Sequence, residues 1–256
     1  MKKIKFISFL FIFVPLHSQN LTAKEIIKMV YNLDQPNSFI SEIKLEIIRT
    51  KNGKKKTKTR EFTRFKKNYS KGRFKSKSLI RFQKPLAISG TGLLSWDYKS
   101  GKSEQWFFLP KLKTAKKVHA KEKHKNFMGT DFIYEDLENR KLGMDSLSIV
   151  GTEFIDGHPC KVIMAWPKNE SVYFSRKLWV NTQNWQIIKI EFYSSEVNKI
   201  KTLTVSNFIE KNDFIIPGDM KMERDNGNIT LMKIQSFKPN IGLKDEIFSE
   251  SFMIKI

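Results

Sequence analysis

The sequence predicts a mainly β protein: one strongly bent antiparallel sheet or barrel of about 10–11 strands, with a few helices against its concave side. Three observations lead there. Short stretches of period-2 hydrophobic alternation recur along most of the chain, and turn pairs join several of them in near-meander order. Strands and helices do not alternate, which excludes Rossmann and TIM arrangements.

The first element is helical. Thr22 with Glu25 three residues on forms a capping box that satisfies two backbone donors, and Ile26, Ile27, Val30 and Tyr31 then fall on one side. This predicts an amphipathic helix over 21–32, ended before Pro36. The period then changes to 2, with Ile43, Leu45 and Ile47 alternating against Glu42, Lys44 and Glu46 in a half-buried strand. Asn52-Gly53 supplies a hairpin turn, and 57–65 returns beside that strand. Further strands are expected at 72–82, 91–98, 104–109, 147–154, 161–166, 173–181, 186–193, 203–210 and 229–237. Asp156-Gly157 and Thr182-Gln183-Asn184 read as turns between three of them. Gly90-Thr91-Gly92 lacks the third glycine of a dinucleotide loop and leads into a strand, so it signals a bulge or a close backbone approach. A second, short helix is expected over 131–137.

Residues 1–18 separate from this pattern. Lys2, Lys3 and Lys5 precede an apolar run from Phe6 to Leu16, too short to span a bilayer, so a signal peptide cleaved near Ser18 is expected. No cysteine sits at that point to carry a lipid anchor, and the remaining 19–256 reads as one exported domain without linker or repeat. Its single Cys160 forms no internal disulfide and reads as a small buried residue of a strand.

Charge is the outstanding compositional feature. Of 47 Lys and Arg three leave with the leader, so 44 face 26 acids, and residues 51–84 hold fifteen basic side chains against Glu61 alone. Such a field attracts polyanions. Export argues against nucleic acid and for phospholipid head groups, other anionic surfaces or an inner-membrane transporter, with Lys54, Lys55, Lys56, Arg73, Lys113, Lys116 and Lys117 as a basic rim.

Chemistry is sparse by comparison. Residues 126–137, NFMGTDFIYEDL, place Asp131 and Glu135 one helical turn apart, as a general acid and base could be. Asp131 follows Gly129-Thr130, however, and at a helix start a carboxylate is favoured by the macrodipole, so capping is the stronger reading. His119 and His124 lie among lysines, and His158 and Cys160 at a hairpin lack an acidic ligand, so no metal site, cofactor or catalytic residue is assigned. What remains is aromatic content. A sheet of more than about eight strands encloses more space than its own side chains fill. Ile43, Leu45, Ile47, Phe82, Leu93, Trp106, Phe108, Phe127, Phe132, Trp179 and Phe192 are the candidate lining of a cavity for an acyl chain.

Three segments, FQKPLAISGTGLLS at 82–95, EQWFFLPKLKTAKKV at 104–118 and NFMGTDFIYEDL at 126–137, resemble in their order the outer-membrane lipoprotein-sorting protein family. That family belongs with the LolA-like and LolB-like periplasmic carriers, and 173–185 and 243–252 fit its pattern loosely. The resemblance implies an unclosed antiparallel β-barrel with a helical lid over an apolar cavity. It also implies a periplasmic location and binding of lipid or lipoprotein acyl chains, without catalytic residues or cofactor. The expected function is therefore a monomeric periplasmic carrier shuttling acyl chains between envelope membranes. The alternatives are a non-carrying accessory subunit docking on an envelope transporter through its basic face, and an envelope hydrolase using Asp131 and Glu135.

Overall fold

A computed structural model describes residues 21–119, 122–138, 140 and 142–255; the expected leader and its cleavage point lie outside them. Helix α1 (Ala23–Tyr31) starts as its sequence dictates. Thr22 Oγ1 accepts from the Glu25 N–H at 3.3 Å and the Glu25 carboxylate accepts from the Thr22 N–H at 2.8 Å.

Thirteen strands follow. They are β1 (Ser38–Lys51), β2 (Lys54–Asn68), β3 (Phe74–Lys84), β4 (Gly92–Tyr98), β5 (Ser103–Leu109), β6 (Thr114–Lys117), β7 (Asp145–Ile155), β8 (His158–Pro167), β9 (Ser175–Asn181), β10 (Ile187–Tyr193), β11 (Lys199–Lys211), β12 (Phe214–Arg224) and β13 (Ile229–Pro239). Their order is β6-β5-β4-β3-β2-β1-β13-β12-β11-β10-β9-β8-β7, each neighbour antiparallel and no pairing between β6 and β7, so the barrel stays open. Asn52-Gly53, Asp156-Gly157 and Asn212-Asp213 all take positive φ in two-residue turns, whose twist matches that of the strands they join.

Two strands are not legible from hydrophobic alternation. β6 is four mostly exposed residues, TAKK, and its lysines suit a free sheet edge. β12 contains Pro217-Gly218, which reads as a turn. Pro217 is tolerated because β12 meets β13 only from Asp219 onward, leaving its missing N–H at an unpaired edge. Gly218 is required because a Cβ there would lie 1.9 Å from the carbonyl oxygen of Asn207, itself at φ 50°.

The sheet curls so far that Leu93 of β4 and Leu203 of β11 line one chamber although five strands separate them. This defines the concave face, which carries Ile43, Leu45, Phe62, Ile80, Phe82 and Leu93 on one half and Phe192 and Met222 on the other. Helix α1 covers the far end of that face, packing Ala23, Ile26 and Ile27 on Ile163 and Val180. The C-terminal helix α2 (Glu250–Ile254) instead covers the opposite face. There Phe248 and Met253 bury Leu79, Leu94, Trp106 and Phe108, and Arg81 Nη2 donates to the Phe252 carbonyl at 2.8 Å. Gly92 provides the close approach expected of the Gly90-Thr91-Gly92 stretch, since a Cβ there would lie 2.9 Å from Met253 Cγ.

Candidate functional site

Because β6 and β7 are the two free edges of the sheet, the segment joining them has to cross the mouth of the open barrel. That segment contains residues 126–138. An isolated bridge between Asn126 and Ile133 and a bond from the Phe127 N–H to the Phe132 carbonyl (2.8 Å) close it into a compact strap. Its aromatic side faces inward: Phe127 lies 5.9 Å from the Phe82 ring and 5.8 Å from Tyr134.

The carboxylates of the strap are each clamped to cations, three of them to cations of the sheet. Asp131 accepts from Arg49 Nη1 at 2.8 Å and from Thr230 Oγ1 at 2.7 Å, with Arg224 Nε at 3.3 Å. Glu135 accepts from Arg176 Nη2 (2.6 Å), Ser171 Oγ (2.5 Å) and the Val172 N–H (2.8 Å). Asp136 accepts from Lys201 Nζ (2.5 Å), Tyr173 Oη (2.7 Å) and the Ile133 N–H (2.8 Å). Glu138 pairs with Lys123 at 2.9 Å. Burial holds the cations Lys201 and Arg176 below their ordinary values and pushes Glu138 and Tyr173 up.

Two expectations change here. Residues 131–137 form only a 3-10 turn, Tyr134–Leu137, with Asp136 accepting from the Ile133 N–H just before it, so Asp131 caps no helix and lies outside it. Asp131 and Glu135 also do not share a face, because each points at a different cation of the sheet wall. Sequence reasoning counted the charges but not their partners, which lie up to 99 residues away.

Under the strap lie two adjoining chambers. The inner one, about 240 Å³, is walled by Ile43, Phe62, Ile80, Leu93, Phe127, Leu137, Met220 and Met232, with Arg64, Ser78 and Ser95 among them. The outer, about 430 Å³, is walled by Val30, Leu33, Leu178, Ile187, Ile190, Phe192 and Met222, with Lys66, Lys75, Ser76 and Arg176. Phe132, Asp136, Glu138 and Leu203 border both. The outer chamber reaches solvent beside the exposed Tyr31, Gln35 and Lys75. The lining is thus apolar with a charged band, in which Glu135, Asp136 and Glu138 stand among Arg64, Lys66, Lys75, Arg140 and Arg176.

Of the candidate lining residues, Ile43, Leu93, Phe127, Phe132 and Phe192 border the chambers. Leu45 and Phe82 lie on the same concave face and are consumed in core packing, and Ile47, in step with Leu45, is buried without bordering either chamber. Trp106, Phe108 and Trp179 are corrected: they lie on the opposite face, Trp106 and Phe108 beneath the C-terminal segment, Trp179 with Cys160, Val162 and Ile188. Period-2 alternation separates two faces but does not say which is concave. Met220 and Met222 were missed because they sit in the unrecognised β12, although soft side chains of this kind suit an adaptable pocket.

The basic candidates do not form one rim. Lys54, Lys55 and Lys56 sit on an arm where β1 and β2 outrun both neighbours, β13 ending its pairing at Ile48 and β3 beginning at Glu61. Arg73 lies at the other end of β2, stacked on Phe74 and Tyr98. Lys113, Lys116 and Lys117 follow the β5–β6 edge, with Lys117 paired to Glu104 at 2.6 Å. Cys160 is fully buried, and burial pushes its thiol up. Among the described residues no group of three or more His, Cys, Asp or Glu is placed to hold a metal, and no helix is long and apolar enough to cross a membrane.

Solved structures share this architecture. A domain described as outer membrane lipoprotein-sorting from Vibrio parahaemolyticus superposes with a TM-score of 0.84 at 23% identity, covering 91% of this chain and 98% of that one. A DUF1329 family protein from Desulfovibrio piger gives 0.83 at 24% identity, with 90% and 97% covered. A LolA superfamily protein from Nitrosomonas europaea gives 0.69 at 19%, with 91% and 99% covered. No protein of curated function matches the sequence. Residues 75–255 match the model of a family described as uncharacterized protein-like, so the chain belongs to that family, and its fold is that of the outer membrane lipoprotein-sorting and LolA superfamily proteins.

Proposed function

We propose that the protein is an exported, periplasmic carrier that holds acyl chains in the strap-covered hollow and moves them between envelope membranes. The observation that carries this is the pair of unfilled, apolar-walled chambers with an opening to solvent. At about 0.8 kcal/mol per buried methylene, a few methylenes in the inner chamber hold a chain appreciably. The likeness in fold to an outer membrane lipoprotein-sorting domain supports the same reading. Asp131 and Glu135, spent in separate ion pairs, offer no acid–base pair to a hydrolase.

Mass spectrometry of an organic extract of the purified mature protein tests this. A stoichiometric acyl compound is expected, lost in Leu93→Trp, which fills the inner chamber. Recovery of no acyl compound from the wild type, together with no uptake of added chains, refutes it.

A second reading is favoured by the basic arm. Lys51, Lys54, Lys55, Lys56 and Lys58 are exposed on a two-stranded ribbon, which would dock on an anionic surface at about 1 kcal/mol per residue. Docking that persists in Leu93→Trp would favour an accessory subunit that carries nothing.

A further inference from the structure

We propose that the hollow selects a single-chain amphiphile with an anionic head, a carboxylate or phosphate, seated on Arg64 and Lys66 with its tail in the inner chamber. This rests on the carrier reading and adds the class of cargo. Alternation along β2 sets Phe62, Arg64 and Lys66 in a row on the concave face, paired across to Ile43, Ser41 and Phe39. Phe62 and Arg64 border the inner chamber, Lys66 the outer, and Lys75 stands at the opening. The row therefore grades from apolar depth through two cations to the way out.

These two cations differ from the others of the interior. Lys201 has Asp136, Arg176 has Glu135 and Arg49 has Asp131. Arg64 Nε is buried without a hydrogen-bond partner, and among the described residues neither Arg64 nor Lys66 has a carboxylate within ion-pair distance. Asp97 acts on both from farther away while accepting from Ser76 Oγ at 2.9 Å and Ser103 Oγ at 2.6 Å. The carboxylates of the strap do not answer them either, since Glu135, Asp136 and Glu138 are engaged by Arg176, Lys201 and Lys123.

Burial lowers both groups, Lys66 to about 7, with their mutual repulsion adding to the effect on Lys66. A buried cation without a counter-ion is unfavourable, and a methionine would fill the same space without that cost. An anionic head group supplies the missing charge, and the hydroxyls of Ser78, paired across to Lys66, and of its neighbour Ser95 line the chamber with Arg64 and offer further donors. Neither chamber is large, the inner about 240 Å³ and the outer about 430 Å³ against the roughly 300–1,000 Å³ of small-molecule sites, which suits one chain and not two.

Titration calorimetry of the mature protein with hexadecanoate, hexadecyl phosphate, hexadecanol and hexadecyltrimethylammonium, all below their micelle concentrations, tests this. One or both anions should bind at least about tenfold tighter than the alcohol, and the cation weakest, as a charge-assisted contact requires. Preference for the phosphate assigns a phospholipid-type head and preference for the carboxylate a fatty acid; either supports the proposal. In Arg64→Met/Lys66→Met the anions should fall to the affinity of the alcohol while the alcohol is unchanged. Should that variant not fold, Lys66→Met alone should lose part of the preference and Lys66→Arg restore it, and the head-group comparison on the wild type needs no variant. Equal binding of alcohol and anions, or a preference that survives the substitutions, overturns the assignment and leaves the carrier reading standing. If none of the four binds and the organic extract holds no acyl compound, the carrier reading itself falls.

Discussion

Replacing Asp136 by Asn removes one charge and little else. Asp136 Oδ2 accepts from the Ile133 N–H and Oδ1 from the Tyr173 hydroxyl; Asn keeps its oxygen for the first and turns its NH2 to the second, where the hydroxyl can accept instead, so the capping contact and the shape survive. What is lost is the counter-ion of Lys201, a side chain only 2% exposed. Its remaining neighbours are the Asp131 carbonyl at 3.2 Å and the rings of Phe192 and Tyr173 at 4.9 and 5.2 Å, none of which carries a negative charge. Stripping one partner from a buried pair costs about 3–5 kcal/mol, and burial sets the upper part of that range here. Asp131→Asn is a built-in control, since its partners Arg49 and Arg224 are 31% and 29% exposed and can turn to water, so about 1–3 kcal/mol is expected. The cost has a pH signature: an orphaned Lys201 can fold neutral by shedding its proton, so the Asp136→Asn deficit should be larger at pH 6 than at pH 10. Urea unfolding followed by tryptophan fluorescence reads all of this, since 3–5 kcal/mol is a large part of the 5–15 kcal/mol of an ordinary domain. The reasoning is refuted if Asp136→Asn loses less than about 1 kcal/mol, if Asp131→Asn proves the worse, or if adding Lys201→Met to Asp136→Asn recovers nothing.

Lys66 gives a prediction of opposite sign. Its folded value of about 7 lies below its ordinary 10.5, so between the two the unfolded chain holds a proton the folded chain lacks, and stability should climb as pH rises through that window. Lys66→Met should abolish the climb and raise the unfolding free energy at pH 6, by up to roughly 5 kcal/mol; an unchanged stability would contradict the unpaired cation. Gly218→Ala should cost about 3 kcal/mol or more, because the new Cβ meets a backbone oxygen at 1.9 Å, whereas Gly92→Ala meets the flexible Met253 and should cost about 1 kcal/mol, both read by thermal melts. Trp106→Ala should cost about 3–5 kcal/mol in the same assay yet leave chain uptake intact, since that ring lies on the face away from the hollow; impaired uptake at full folding would place it wrongly.

The strands, their hairpins and the first helix are legible in the sequence because their causes are local. The Thr22–Glu25 box, the turn pairs at Asn52-Gly53 and Asp156-Gly157, and the alternation of Ile43, Leu45 and Ile47 act within a few residues. β12 escaped for a non-local reason: its proline is acceptable only because β13 has not yet arrived alongside. The site divides in the same way. That residues 126–137 join aromatic and acidic side chains is written in the chain, whereas the partner of each carboxylate is not.

By itself, then, the sequence determined a curled antiparallel sheet of short strands, a capped helix and two apolar faces on most strands, because periodicity and turn chemistry are properties of neighbouring residues. Only the tertiary structure decided which face closed around space, and so moved Trp106, Phe108 and Trp179 out of the hollow and Arg64 and Lys66 into it. It also made residues 126–138 a strap, since a chain leaving one free edge of an open sheet for the other has to cross the gap, and crossing brought Asp131, Glu135 and Asp136 to cations far away in sequence.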